Sequence, residues 1–99
     1  MSKGYWVSAY QSVSDPDTLK AYAKLAEQAV TTNGGRFIVR TAEAIEAHEA
    51  GKVQRIVVVE FASFEQAKKA YASQAYQEAL AVLGSSAVRD FRIVEGVPS

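Results

Sequence analysis

The residues in this chain that could do chemistry are charged and aromatic side chains set inside apolar runs. Arg36 and Arg40 flank Phe37-Ile38-Val39, Glu60 closes Ile56-Val57-Val58-Val59, Asp90 and Arg92 flank Phe91, and Trp6 and Tyr10 belong to Tyr5–Val13. Guanidinium groups against an apolar wall can hold a carboxylate or an enolate. Glu60 or Tyr10 could move a proton, and Trp6 could stack on an aromatic ring. The expected ligand-binding set is therefore Trp6, Tyr10, Arg36, Arg40, Glu60, Asp90 and Arg92, with Tyr10 and Glu60 as the catalytic candidates. A structural alternative stands beside it: Arg36 with Glu60, and Asp90 with one of the arginines, would satisfy each other as an ion-pair network at an interface.

Other chemistries find little support. His48 is the single histidine, in the polar stretch Glu46–Glu49, where it is expected to be exposed rather than a metal ligand, a base or a haem ligand. No metal and no cofactor are expected. Ser8, Ser12 and Ser73 have no evident histidine partner for nucleophilic catalysis. The absence of cysteine removes disulfides, thiolate catalysis and cysteine-ligated metals. Gly34-Gly35 follows a helix and precedes a strand, the reverse of a dinucleotide-binding turn. Eleven Lys plus Arg balance eleven Asp plus Glu, so no global field draws the chain to nucleic acid or to anionic lipid. No apolar stretch reaches the length of a signal-peptide core or a membrane span, so neither membrane nor nucleic acid is an expected partner and the expected location is cytoplasmic.

The elements that must position these residues follow from pattern. At 99 residues the chain is expected to form one domain over 1–99, burying roughly 60–70% of its unfolded surface. Tyr5–Val13 is rich in aromatic and β-branched residues and reads as a strand. Asp15-Pro16-Asp17 is a helix start, and Leu19, Tyr22, Ala23, Ala26, Ala29 and Val30 form a buried stripe up to about Thr32, ended by Asn33-Gly34-Gly35. Arg36–Thr41 and Gln54–Phe61 read as strands, and the connection 42–53 is expected to be a mobile loop. Ser63-Phe64-Glu65-Gln66 matches a capping box for a second helix, bent and restarted near Ser73 and ending at Gly84. Val88–Glu95 is the last strand and Gly96, Pro98 and Ser99 the tail.

Strand-helix-strand occurs twice, which predicts a ferredoxin-like βαββαβ fold, α+β in class: a four-stranded antiparallel sheet with two helices on one face. Pairing Arg36 with Glu60 puts Ile38 opposite Val58 and Arg40 opposite Ile56, avoiding an Arg40–Arg55 clash. That register predicts Phe37, Val39, Val57, Val59 and Phe61 under the helices, with Arg36, Arg40 and Glu60 on the other face and Arg55 at the edge of the helix-covered one. The same alternation predicts Val7, Ala9, Phe91 and Ile93 under the helices, and Trp6, Ser8, Tyr10, Asp90 and Arg92 opposite. A face mixing aliphatics with Arg, Glu, Tyr and Asp is expected to be covered by a second copy, enclosing a cavity.

Lys3-Gly4-Tyr5-Trp6-Val7, Gly34–Arg40, Arg55–Ala67, Ala75-Tyr76-Gln77 and Arg89–Gly96 together resemble the domain of unknown function 1330 family, nearly along the whole chain. The resemblance implies a dimeric α/β barrel, in which two ferredoxin-like subunits pack sheet against sheet as a homodimer. It implies no reaction and no site residues. The wider superfamily holds cofactor-independent monooxygenases, haem enzymes, muconolactone isomerases, stress-responsive dimers and ligand-binding regulatory domains, so fold alone selects none. The function expected is that of an uncharacterised dimer binding a small organic molecule beside the sheet. The alternatives are a cofactor-independent monooxygenase, isomerase or lyase acting on a small conjugated carbonyl or phenolic compound, and a structural or partner-binding dimer.

Overall fold

The computed structural model describes residues 2–98; Met1 and Ser99 lie outside the described residues. The chain runs β1 (Gly4–Val13), α1 (Pro16–Thr32), β2 (Arg36–Thr41), β3 (Ile56–Phe61), α2 (Phe64–Ala72), α3 (Gln74–Leu83) and β4 (Ala87–Glu95). The strands form one antiparallel sheet in the order β2-β3-β1-β4, as a ferredoxin-like topology requires. The expected two helices are three. Ser73 is extended at ψ 150° and ends α2, while its hydroxyl donates to Ala70 O at 2.7 Å and accepts from Tyr76 N at 3.3 Å, so one side chain closes one helix and caps the next.

The expected barrel is not formed by this sheet. β2 and β4 are its edges, and the molecule is a slab of 37 × 34 × 17 Å, a helical layer on an open sheet. Antiparallel neighbours twist without curling far enough for β2 to meet β4, so no closure relieves the edges. The α1 start is as read: Asp15 Oδ1 accepts from Asp17 N and Thr18 N at 3.1 and 3.2 Å, ahead of Pro16. Gly34 takes φ +80°, and a Cβ on Gly35 would strike the Phe61 ring, so both glycines are needed at this turn.

The core is aromatic. Trp6 meets Phe61, Tyr71, Tyr76 and Phe91 at centroid separations of 4.6 to 6.2 Å, tilted or edge-on, the arrangement ring quadrupoles favour. Its indole Nε1 donates to Ala67 O of α2 at 2.8 Å, so the one polar atom of the ring is satisfied inside the core. This tie fixes which face of β1 meets the helices. Trp6, Ser8 and Tyr10 point under the helical layer and Val7 and Ala9 away from it, the reverse of the alternation expected for this strand. Phe91 and Ile93 do lie under the helices, opposite Ser8 and Trp6, and Asp90 and Arg92 face away.

The second departure lies in β2. Arg36 pairs with Glu60 as expected, but a bulge at Ile38 then puts Val39 opposite Val58, Arg40 opposite Val57 and Thr41 opposite Ile56. A bulge inserts one residue and re-aims everything after it. Val39 therefore moves to the open face and Arg40 to the helix-covered one, exchanging the positions expected for them. The β2–β3 connection holds no helix: Thr41 Oγ1 accepts from Ala44 N at 3.2 Å and Gly51 N donates to His48 O at 2.8 Å. It approaches the open face, where Ile45, Ala50 and Gly51 share a crevice with Ala9, Ile56 and Asp90.

Candidate functional site

Antiparallel partners share a face, so the helix-covered end of the sheet carries a row drawn from four strands: Arg89 of β4 opposite Tyr10 of β1, Arg55 leading into β3 beside Tyr10, and Arg40 of β2 opposite Val57. Above this row runs the inner stripe of α1. α1 packs chiefly along α3 and leaves a cleft against the β2–β3 side of the sheet, with Tyr22, Ala26 and Val30 as its roof. The closed volume is about 40 Å³. At roughly 10–15 Å³ per water-sized occupant, that is room for a few atoms, the size of a carboxylate or the tip of a small ring. Exposure of the lining rises towards β2, where Phe37 is half-buried and Arg40 exposed, so the cleft opens there.

The cleft is aromatic and cationic at once. Three guanidinium groups, of Arg40, Arg55 and Arg89, line it together with Trp6, Tyr10 and Phe91, and among the described residues no carboxylate does. Arg89 donates to Tyr22 Oη at 2.9 Å and reaches Tyr76 Oη at 3.5 Å, while its Cζ stands 5.0 to 5.6 Å from the Phe91, Tyr22 and Tyr10 ring centroids. Arg55 Cζ lies 5.9 Å from the Tyr10 ring centroid. π-faces thus partly replace the hydration these cations lose. Arg40 lies 4.4 Å over the Phe37 ring and 3.6 Å from Glu27 Oε2 of α1, an exposed and weak pair at the mouth.

Tyr22 and Tyr76 form a second unit. Their hydroxyl oxygens are 2.6 Å apart, and Arg89 can only donate to them. Of the two hydroxyl protons, one serves the contact between the tyrosines and the other is left to donate elsewhere. Burial pushes the Tyr22 phenol well above its ordinary value, with Tyr76 adding to this and Arg89 opposing it. Burial raises Tyr76 as well, against the lowering influence of Arg89. Burial works against the Arg89 charge, but the tyrosine oxygens outweigh it and its pKa is raised. At neutral pH the unit is two neutral phenols around a fixed cation, a donor array rather than a base.

The open face holds the rest of the expected site. Arg36 Nε donates to Glu60 Oε1 at 2.9 Å and Tyr5 Oη to Oε2 at 3.3 Å. The Arg36 hydrogen bond holds the Glu60 carboxyl below its ordinary value. Arg92 grips Asp90 with two hydrogen bonds of 3.0 and 3.1 Å. Of the seven residues expected to bind a ligand, the structure brings Trp6, Tyr10 and Arg40 to the cleft and leaves Arg36, Glu60, Asp90 and Arg92 paired on the opposite face. The two catalytic candidates, Tyr10 and Glu60, lie on opposite faces. His48 is exposed and contacts Glu46 at 2.6 Å. Among the described residues no cluster of His, Asp and Glu is placed to hold a metal.

Reasoning from sequence missed Tyr22, Arg55, Tyr76 and Arg89 as cleft residues. A period-two signal was present: Arg55, Val57 and Val59, and likewise Arg89, Phe91 and Ile93, alternate onto one face of their strands. Tyr22 was legible in the buried stripe of α1, but its meeting with Tyr76 over Arg89 depends on α1 packing along α3.

The chain is a small α+β domain: an open ferredoxin-like sheet covered on one side by three helices, with an arginine-lined cleft beneath α1. Residues 3–97 match the family described as domain of unknown function (DUF1330), and the chain belongs to that family. Among curated proteins none matches the sequence. The fold is shared with solved structures. A protein of unknown function from Rhodopseudomonas palustris superposes at TM-score 0.69 with 15% identity, over 99% of this chain and 83% of the other. A dimeric ferredoxin-like protein of unknown function from Thermobifida fusca gives 0.64 and 14%, over 98% and 92%. SnoaB, a cofactor-independent oxygenase from Streptomyces nogalater, gives 0.62 and 11%, over 100% and 97%. At these identities the likeness is one of fold. Among the described residues no helix is long and apolar enough to cross a membrane.

Proposed function

We propose that this chain is an enzyme of the cofactor-independent oxygenase or isomerase kind, acting in the α1 cleft on a small phenolic or conjugated carbonyl compound. The observation that carries the reading is the set of three cleft guanidiniums, of which Arg55 and Arg89 have no carboxylate beside them and Arg40, at the mouth, has only the exposed Glu27. Uncompensated cations in an aromatic wall lower the pKa of a phenol or enol brought against them and hold the resulting anion. That anion is the electron-rich form that can pass electrons to dioxygen or be reprotonated at another carbon. Arg89 faces the charge, and the free hydroxyl proton of the Tyr22–Tyr76 pair is the donor for a developing oxyanion. The substrate proton leaves to water at the β2 mouth, since both raised phenols are poor bases. The SnoaB likeness supports the fold's capacity for such chemistry, and the 40 Å³ of closed space restricts it to small substrates.

Oxygen uptake with a panel of small hydroquinones, and deuterium incorporation into small conjugated ketones, test the reading. Arg89→Met should cut either rate by a hundredfold or more, because one oxyanion donor is commonly worth that much. Turnover that survives this change unaltered, or no turnover anywhere in either panel, would overturn it.

A homodimer through the open face is the second reading, favoured by Ile38, Val39 and Val94, which are 43%, 37% and 36% exposed, and by the dimeric relative from Thermobifida fusca. Sedimentation should show a dimer at micromolar concentration and Val58→Asp a folded monomer; a monomeric wild type refutes it. A cytoplasmic location accompanies this proposal.

A further inference from the structure

Resting on the reading of the cleft as a small-molecule site, we infer that its Ser8–Arg55 side is a carboxylate subsite, so that the small phenolic or conjugated carbonyl compound it takes also carries a carboxylic acid group. Ser8 is 3% exposed, and its Oγ finds no hydrogen-bond partner in the surrounding protein; neither does Arg55 Nε, which is also shielded from solvent. Buried polar groups are hydrogen-bonded in the great majority of cases, and an orphaned donor costs stability. Two orphans in one small cleft are unlike the rest of this core, where even the Trp6 indole has its acceptor.

The positions match one occupant. Ser8 lies opposite Val57 and Arg55 follows two residues away on the same face of the neighbouring strand, a diagonal pair whose side chains are within reach of one group. A hydroxyl and a guanidinium edge are both donors to a carboxylate, which accepts through two oxygens and can take both at once. Arg40, at the mouth, supplies a further cation once it leaves Glu27. The closed volume of about 40 Å³ admits the carboxylate, with the attached ring directed out towards Phe37. A ligand held this way presents its far end to the β2 side and its π-system to the aromatic wall. The subsite is distinct from the Tyr22–Tyr76–Arg89 unit, which lies on its β4 side.

Benzoate, phenol and inorganic phosphate, titrated separately with Trp6 fluorescence and calorimetry as readouts, test this. Benzoate is expected to bind at least tenfold more tightly than phenol, and Ser8→Ala and Arg55→Met each to abolish that preference. Ser8→Ala removes only an unpaired hydroxyl and should melt no lower than the wild type. Should Arg55→Met fail to fold, Arg55→Lys, which has no Nε–H, takes its place. Equal binding of benzoate and phenol, retention of the preference in both variants, or no benzoate binding at millimolar concentration overturns the subsite. Phosphate binding more tightly than benzoate overturns the assignment to a carboxylic acid. A benzoate preference without any turnover leaves the subsite standing and removes the enzymatic reading alone.

Discussion

Replacing Arg89 with methionine should separate what holds the fold from what the cleft does. The change removes one charge-assisted hydrogen bond, to Tyr22 Oη at 2.9 Å; the second contact, 3.5 Å to Tyr76, is at the limit of a hydrogen bond and adds little. That loss is about 1.5–3 kcal/mol. Against it stands the relief of a half-buried guanidinium with no carboxylate beside it, and substitution of buried ionic groups by packed apolar side chains runs from neutral to about 1–4 kcal/mol stabilising. Methionine keeps the length and can refill the space among Phe91, Tyr10 and Tyr22. The two contributions nearly cancel, so stability should stay within about 1 kcal/mol of the wild type, a shift of no more than roughly 4–8 °C for a domain of this size. Binding of a phenolate or enolate analogue should fall by about a hundredfold, the equivalent of roughly 2.7 kcal/mol. Thermal unfolding and calorimetric titration on the same sample read both quantities. A loss exceeding about 3 kcal/mol of stability with anion binding untouched would show Arg89 to be a structural pillar, and the reasoning would fail.

Three further outcomes are expected. Of the five tyrosines, Tyr22 and Tyr76 should release no proton below alkaline unfolding; because their folded pKa values lie above the unfolded value near 10, stability is complete below that pH and declines as pH rises past it. Absorbance at 295 nm followed to high pH reads this directly, and early titration of all five tyrosines would contradict the buried pair. Glu27→Gln should alter stability by less than about 1 kcal/mol yet tighten benzoate binding several-fold by freeing Arg40; weaker binding would mean that the pair positions Arg40 instead. Gly35→Ala forces a Cβ to 2.5 Å from Phe61 Cε1 and should cost about 1–3 kcal/mol, whereas Gly34→Ala meets open space and suffers about 1–2 kcal/mol of left-handed strain alone. Denaturant titration ranks the two, and equal or reversed costs would refute the packing argument.

Local signals carried the element order. Asp15-Pro16, Ser63 with Gln66, Ser73 and Gly34 act through neighbours a few residues away, so they are legible in any chain that contains them. The pairing of Arg36 with Glu60 was equally legible, because opposite charges across adjacent strands favour one register. Which face each strand turns to the helices was not. Along β1, Tyr5-Val7-Ala9 and Trp6-Ser8-Tyr10 both alternate plausibly, and contacts distant in sequence, of Trp6 with Ala67 O and with Phe61, Tyr76 and Phe91, decide between them.

Sequence alone thus determined an α+β chain of four strands in a ferredoxin-like order, with its helix starts and stops and its DUF1330 family, since these rest on short-range chemistry and on pattern over the whole chain. Tertiary structure decided where the chemistry gathers. One bulge at Ile38 turned Arg40 from the open face into the cleft, and the packing of α1 along α3 set Tyr22 against Tyr76 above Arg89. It also left the sheet open and kept Glu60, Asp90 and Arg92 in pairs on its far side. The physical reason is that side-chain direction in a strand has period two, so a single inserted residue inverts every assignment beyond it, and nothing local in the sequence announces the insertion.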